Sequence, residues 1–351
     1  MLKQLWEFKQ SERKWHFPVL AALSVGIPLL AGYYTGNVPA GKLASIAGLV
    51  ILYIHSVSIA HTMITLMACS FGIMFSFSIG IIFGFNPFIA SFVLGLYSFG
   101  VHVALYYLKA NRPPGNFFFI MIASVAICMP FDLGAIPEKI GFIGVGTMIS
   151  CTLGLLYSIL TIKKVSIDTA TVINVTKNKY VNLVESATFG LFVGISLLVA
   201  HLLELENPYW VPTTCAAVMQ GRSTSHIWQR SIQRTLGTFL GLGVTWLILL
   251  VQPTPLVICI SIILLQALIE WLVVRNYAIA VVFITVLTIL LAESGNSLHA
   301  VPTPLIVARF FDILTGSIIG AIGGWMLYNE RLHYTATRQI RKTKVAIARR
   351  K

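Results

Sequence analysis

Charge is scarce in this chain. Of its 351 residues only 11% are Asp, Glu, Lys or Arg, and 12 are acidic. Soluble domains carry about a quarter charged residues, so a fold bathed in water on all sides is excluded. Paired cysteines are missing too. Cys69, Cys128, Cys151, Cys215 and Cys259 all fall inside apolar runs, without CxxC or metal-type spacing. They read as packing residues, neither disulfides nor metal ligands. No GxSxG, HExxH or P-loop lysine occurs, so nothing points to an enzyme, a cofactor, a metal site or ATP use within the chain. An ATP-binding partner stays open.

Apolar sequence fills the space. Hydrophobic residues make up 57% of the chain, and the mean hydropathy is +0.83. The runs recur from Phe17 to Tyr328 with short gaps, many long enough to cross a hydrocarbon layer of about 30 Å. The first, Phe17 to Tyr34, lacks a convincing small-residue cleavage site after it and reads as a retained span. A net charge of +13 would suit nucleic acid, but it clusters beside the apolar runs, so no nucleic-acid partner is expected.

The pattern predicts an all-α polytopic membrane protein of twelve elements, at 17–36, 42–54, 57–84, 88–108, 117–131, 140–162, 184–203, 209–221, 227–251, 255–274, 277–293 and 305–327. With the N-terminus inside, Lys3, Lys9, Arg13, Lys14, Lys109, Arg112, Lys163, Lys164, Lys177, Lys179, Arg222 and Arg275 are cytoplasmic. So is the tail from Arg331 to Lys351. Outside loops keep only Lys42 and Lys139, alongside Asp132, Glu138, Glu204, Glu206 and Glu293. That bias predicts that both termini are cytoplasmic; the expected location is the plasma membrane. The expected organisation is a basic segment 1–16, a first membrane repeat 17–162, a linker 163–183, a second repeat 184–328 and a basic tail 329–351. The tail is suited to anionic lipid headgroups.

The halves match at a spacing of about 170 residues: Asn37 with Asn207, Lys139 with Arg309, Gly146 with Gly316, and Gly154 with Gly324. Near Gly72 and Gly241 it is 169. Six elements per half make the repeats parallel, the arrangement of transporters whose pathway runs between halves; a duplicated scaffold is the plainer alternative. Small residues spaced by four, as in Gly237 and Gly241 or Gly316, Gly320 and Gly324, mark close helix packing. The second element of each half is short, about 13 residues. The later one opens with "NPYWVP", whose prolines suit a helix start. Short spans at matching places point to a transport site, whereas a tilted span in a thinned bilayer needs none.

Charges inside the runs are the candidate chemistry. Arg230, Arg234, Gly237 and Gly241 share one helical face. Two like charges one turn apart cost energy that a bound anion relieves, while snorkelling to headgroups is the bland alternative. Asp312 lies three residues after Arg309 on the Gly316 face; it is either a structural ion pair or a proton carrier tuned by Arg309. In the first half His61 takes the place of Arg230, Thr65 that of Arg234 and Phe142 that of Asp312, with His61 able to titrate near neutrality. Glu270 and Arg275 read as interfacial. Tyr209, Trp210, Trp228, Trp271, Tyr277 and Trp325 fit aromatic belts, although Tyr209 and Trp210 also suit stacking on a ring-bearing substrate.

Taken in order, "NPYWVPTTCAAVMQ", "QRSIQRTLGTFLG", "RNYAIAVVFITVLTILL" and "RFFDILTGSIIGAIGG" resemble the fusaric acid resistance-like and aromatic acid exporter family, with a more distant likeness to plant aluminium-activated malate channels. Larger relatives place a soluble domain between membrane halves, where this chain has only 163–183. The resemblance implies gradient-driven export of organic anions, often aromatic carboxylates. The family's arginines correspond to Arg230 and Arg234 and its R..D helix to Arg309 and Asp312. Together with the reading of the residues themselves, this makes Arg230, Arg234, Tyr209, Trp210 and Gly237 the expected substrate site, Asp312, Arg309 and His61 the expected proton-coupling groups, and the short element a source of backbone N–H groups. A passive anion channel and a non-transporting component binding anionic lipid or a partner protein are the alternatives. Homo-oligomerisation is left open.

Overall fold

Asparagine, serine, threonine and proline set where the helices begin. Asn37 accepts a hydrogen bond from the Ala40 amide at 3.1 Å, with Pro39 in the first turn. Asn86 accepts from Phe88 and Ile89 ahead of Pro87. Ser223 caps with the His226 amide, and Thr254 with that of Val257 ahead of Pro255. Each side chain satisfies a donor that the first turn leaves without a partner.

The structure is a computed structural model that describes residue 8 and residues 13–54, 58–108, 113–161, 179–221, 223–293 and 303–329. All its regular structure is helical: α1 His16–Tyr34, α2 Val38–Gly48 running into a 3-10 turn Leu49–Tyr53, α3 Ile59–Ile82, α4 Pro87–Tyr107, α5 Phe117–Ile127 and α6 Ile136–Thr161. The second half follows with α7 Lys179–Leu202, α8 Trp210–Met219, α9 Thr224–Leu250, α10 Pro255–Leu272, α11 Tyr277–Glu293 and α12 Thr303–Leu327.

All twelve expected elements are present, with some boundaries moved. Capping by Asn37 starts α2 four residues early, so Lys42 lies within a helix and not in a loop. Similarly, α6 begins at Ile136, putting Glu138 in its first turn, where the helix's positive end favours a carboxylate. Since α7 starts at Lys179, the expected linker 163–183 is partly helix; residues 162–178 lie outside the described ones, as do 330–351 of the basic tail.

Length sorts the helices into two classes. Eight are long and apolar enough to cross a membrane: α1, α3, α4, α6, α7, α9, α10 and α12. They turn apolar side chains such as Phe71, Phe92, Met148 and Leu160 outward, as a lipid-facing surface requires. The other four, α2, α5, α8 and α11, are shorter. All ten residues of α8 are buried. It rises only about 15 Å, half a hydrocarbon layer, and is sheltered by longer neighbours.

The same neighbours recur in both halves. The second helix packs on the sixth (α2 on α6, α8 on α12), the third on the fifth and sixth (α3 on α5 and α6, α9 on α11 and α12), and the first on the second and sixth. Between halves, α4 packs along α7 and α10 along α1. Thus the fourth helix of each half meets the first of the other. One end of the bundle is tied by hydrogen bonds: Tyr53 Oη donates to the Gly115 carbonyl at 2.7 Å, Gln220 Nε2 to Pro114 O and Asn116 Oδ1, and Tyr328 Oη to Gly221 O.

Candidate functional site

Helix α8 is the axis of the site. Its entry is a tight turn in which the amides of Trp210 and Val211 donate to the carbonyls of Asn207 and Pro208. Two of the N–H groups expected to face cargo are therefore already used. Around α8 stand α7, α12, α9 and α5.

Long side chains from α9 and α12 reach this axis at two levels. From α9, Arg234 is buried, with Nη2 3.4 Å from Thr214 Oγ1 on α8 and Nη1 3.4 Å from Tyr277 Oη on α11. Arg230, one turn earlier and half-buried, holds its guanidinium 4.6 Å from the centre of the same Tyr277 ring. Both contacts to Arg234 are with neutral hydroxyls at the long limit of hydrogen bonding. The Nε atoms of both arginines are buried without a hydrogen-bond partner among the described residues. From α12, Arg309 is 2% exposed; its Nη2 donates to Thr288 Oγ1 at 3.0 Å and its guanidinium lies over the Trp210 ring. Trp210 and Thr214 are one turn apart on α8, about 6 Å along the axis, so two guanidiniums, those of Arg309 and Arg234, stand beside one short helix, while that of Arg230 rests on Tyr277 of α11.

Asp312 is fully buried. One turn after it, Gly316 approaches α8 so closely that a Cβ there would stand 2.6 Å from the Val211 carbonyl oxygen and 2.8 Å from Thr214 Cβ. That register puts Asp312 level with the first turn of α8, whose positive end favours a carboxylate.

The remaining candidates are placed differently. Gly237 is filled space: a Cβ there would meet the Ala278 carbonyl at 2.8 Å, so it lets α11 approach and lines no opening. Tyr209 is half-buried, 4.9 Å ring to ring from Trp210. His61 is exposed near the start of α3, with Thr65 Oγ1 donating to its carbonyl at 2.8 Å; it stands outside the arginine cluster. In the first half Gly146 presses on the Ala44 carbonyl as Gly316 presses on α8. There the hydroxyls of Ser24 and Ser150 both bond the Gly48 carbonyl.

Sequence reasoning missed Tyr277, Thr214 and Thr288. Tyr277 opens its helix and looks like a belt residue, yet it is held between two arginines; Trp210, 7% exposed, is equally far from a belt. By contrast, Trp228, Trp271 and Trp325 are exposed. Glu270 faces protein: it is 5% exposed and accepts from Arg13 Nη1 at 2.7 Å. A separate apolar groove of about 480 Å³, lined by Phe239, Trp246 and Phe310 among others, opens between the outer faces of α9 and α12.

Eight apolar spans around short buried helices define a multispanning helical membrane protein. More narrowly, residues 194–323 match the family described as fusaric acid resistance protein-like. The uncharacterized membrane protein YvaC of Bacillus subtilis (strain 168) is 34% identical over 148 residues, which cover 42% of this chain and 23% of that protein. The match thus spans about a quarter of that relative's length. No solved structure matches the chain.

Proposed function

We propose that this protein is a transporter of small organic anions, aromatic carboxylates foremost, exporting them across the plasma membrane with an ion gradient. Its termini face the cytoplasm and its two parallel halves rock about the path between them. Arg234, with Arg230, receives the carboxylate; Tyr277 and Thr214 orient it by hydroxyl contacts. Arg309, over Trp210, takes the anion one turn further along α8. Asp312 carries the coupling proton.

One observation supports this reading above the others: Arg234 is a buried cation whose described partners are two neutral hydroxyls. Burying a guanidinium without a counter-charge costs several kcal/mol, and a carboxylate arriving between the helices removes that cost. Arg234 is 7% exposed and packs among helices, which supports a site over snorkelling toward headgroups.

Efflux of a labelled aromatic carboxylate from proteoliposomes under an imposed pH gradient tests it. Wild type is expected to exceed empty liposomes, with Arg234→Ala and Asp312→Asn reducing flux at least tenfold. Normal flux in both variants would remove the site assignment. The cluster of Arg230, Arg234 and Arg309 also suits a passive anion channel. Current that persists without a proton gradient and in Asp312→Asn would select that reading.

A further inference from the structure

Besides the contact of α5 with α8, the two halves meet along two seams whose residues correspond at a spacing of 168. On the α4–α7 seam, a Cβ at Gly194 would stand 3.1 Å from Gly95 Cα. On the α1–α10 seam, Gly26 takes the place of Gly194 and Ile263 that of Gly95, with a Cβ at Gly26 only 2.6 Å from Ile263 Cγ1. Both seams are close-packed, and each carries polar groups about two turns beyond this crossing.

On the α1–α10 seam the polar contact is an ion pair. Glu270 receives Arg13 Nη1 at 2.7 Å, and the Arg13 guanidinium lies 4.4 Å from the Phe17 ring centre. On the α4–α7 seam the same spacing puts His102 in the place of Glu270 and Glu185 in the place of Phe17. The acid and the base have exchanged sides.

His102 is built in, not incidental. Its Nδ1 lies 2.9 Å from Ser186 Oγ. Ser186 Oγ donates its own proton to the Asn182 carbonyl at 2.8 Å, so it accepts from His102, and Nδ1 carries the imidazole's proton. A second proton must then enter at Nε2. The imidazole packs 5.2 Å from the Phe189 ring, one turn after Glu185, which is 9% exposed. Two buried polar atoms flank the group without a hydrogen-bond partner among the described residues: Ser98 Oγ, one turn before His102, and Asn182 Oδ1, one turn before Ser186. Of the helices packed on α4, α7 brings Glu185, and α5 has no ionisable side chain between Phe117 and Ile127. On α4 itself stand Tyr97, bonded to Ser76, and Tyr106.

We propose that His102 is a proton-binding site set in the seam between the halves, with Glu185 as its counter-charge. Uptake of a proton at Nε2 turns imidazole into imidazolium and completes on the α4–α7 seam the charged catch that Arg13 and Glu270 make on the α1–α10 seam. An imidazole titrates between about pH 5 and 8, whereas a guanidinium stays charged. One catch therefore gains and loses its cation with pH, and the other keeps its cation throughout. The charged catch is present at low pH and lost as pH rises, after which the halves hinge about the α1–α10 seam.

Hydrogen exchange of the full chain in lipid nanodiscs, corrected for intrinsic exchange, tests this without any substrate. Between about pH 5.5 and 8, protection over residues 98–107 and 181–190 is expected to fall about tenfold, the ratio equivalent to 1.4 kcal/mol, while 16–26 and 262–272 hold steady. His102→Gln should show the lower protection at both pH values. Glu185→Gln, which keeps the imidazole and its bond to Ser186, should likewise lose the response, so the test survives if His102→Gln fails to fold. A wild-type seam indifferent to pH, or a response retained in either variant, would overturn the proposal.

Discussion

Replacing Arg234 by methionine separates a binding cation from a structural one. Its two contacts, both 3.4 Å to neutral hydroxyls, are worth at most about 1 kcal/mol together. Against them stands Arg230, one turn away, about 6 Å on a helix surface. At an effective dielectric of 20 that repulsion is about 3 kcal/mol, reduced to about 1–2 kcal/mol because Arg230 is only half-buried and partly screened. Methionine has a similar length and no charge to desolvate. Without ligand, Arg234→Met should therefore unfold at the same temperature as wild type or a few degrees higher. Its affinity for a carboxylate should fall by about 2–4 kcal/mol, roughly thirty- to eight-hundredfold. Differential scanning fluorimetry in detergent, with and without a saturating aromatic carboxylate, reads both quantities. If the ligand-free variant melts several degrees lower and the carboxylate shift is unchanged, Arg234 is a structural residue and the reasoning fails.

Other expectations follow from the same geometry. Tyr277→Phe keeps the ring beneath Arg230 but removes the hydroxyl beside Arg234; efflux kinetics should show KM raised about fivefold, near 1 kcal/mol. Glu270→Gln leaves Arg13 facing an amide and should lower thermal stability by about 1–3 kcal/mol, with Arg13→Gln in the same chain restoring part of it in a double-mutant cycle. Gly316→Val places branched carbons against the Val211 carbonyl and Thr214; loss of stability by about 2 kcal/mol or more is expected in chemical unfolding. Arg309→Gln removes the cation over Trp210, so the blue shift in tryptophan emission expected on carboxylate binding should disappear.

Hydropathy made the membrane fold readable because spans need about twenty apolar residues and little else. It misjudged helix starts at Val38 and Ile136, where Asn37, Pro39 and Pro137 set the boundary and neighbouring lysines look like loop. The short second elements were visible, but the shortness of α5 was not, because "FFFIMIASVAICMPF" stays apolar after the helix stops at Ile127. Site reading had the same limit. Arg230, Arg234, Arg309 and Asp312 stand out as charges in apolar runs, yet what surrounds them comes from other helices. Tyr277 and Trp210 have the composition of belt residues, and only packing of α8 and α11 among longer helices turns them inward. Arg13 and Glu270 are 257 residues apart, beyond the reach of local spacing.

Equilibrium titration of purified protein with benzoate and with benzamide tests the central claim most directly, since the two differ chiefly in charge. Wild type should bind benzoate and give no measurable heat with benzamide, and an Arg230→Gln, Arg234→Met double variant should bind neither. Equal affinity of wild type for the charged and the neutral ring, or full benzoate binding in the double variant, would contradict an anion site at these arginines.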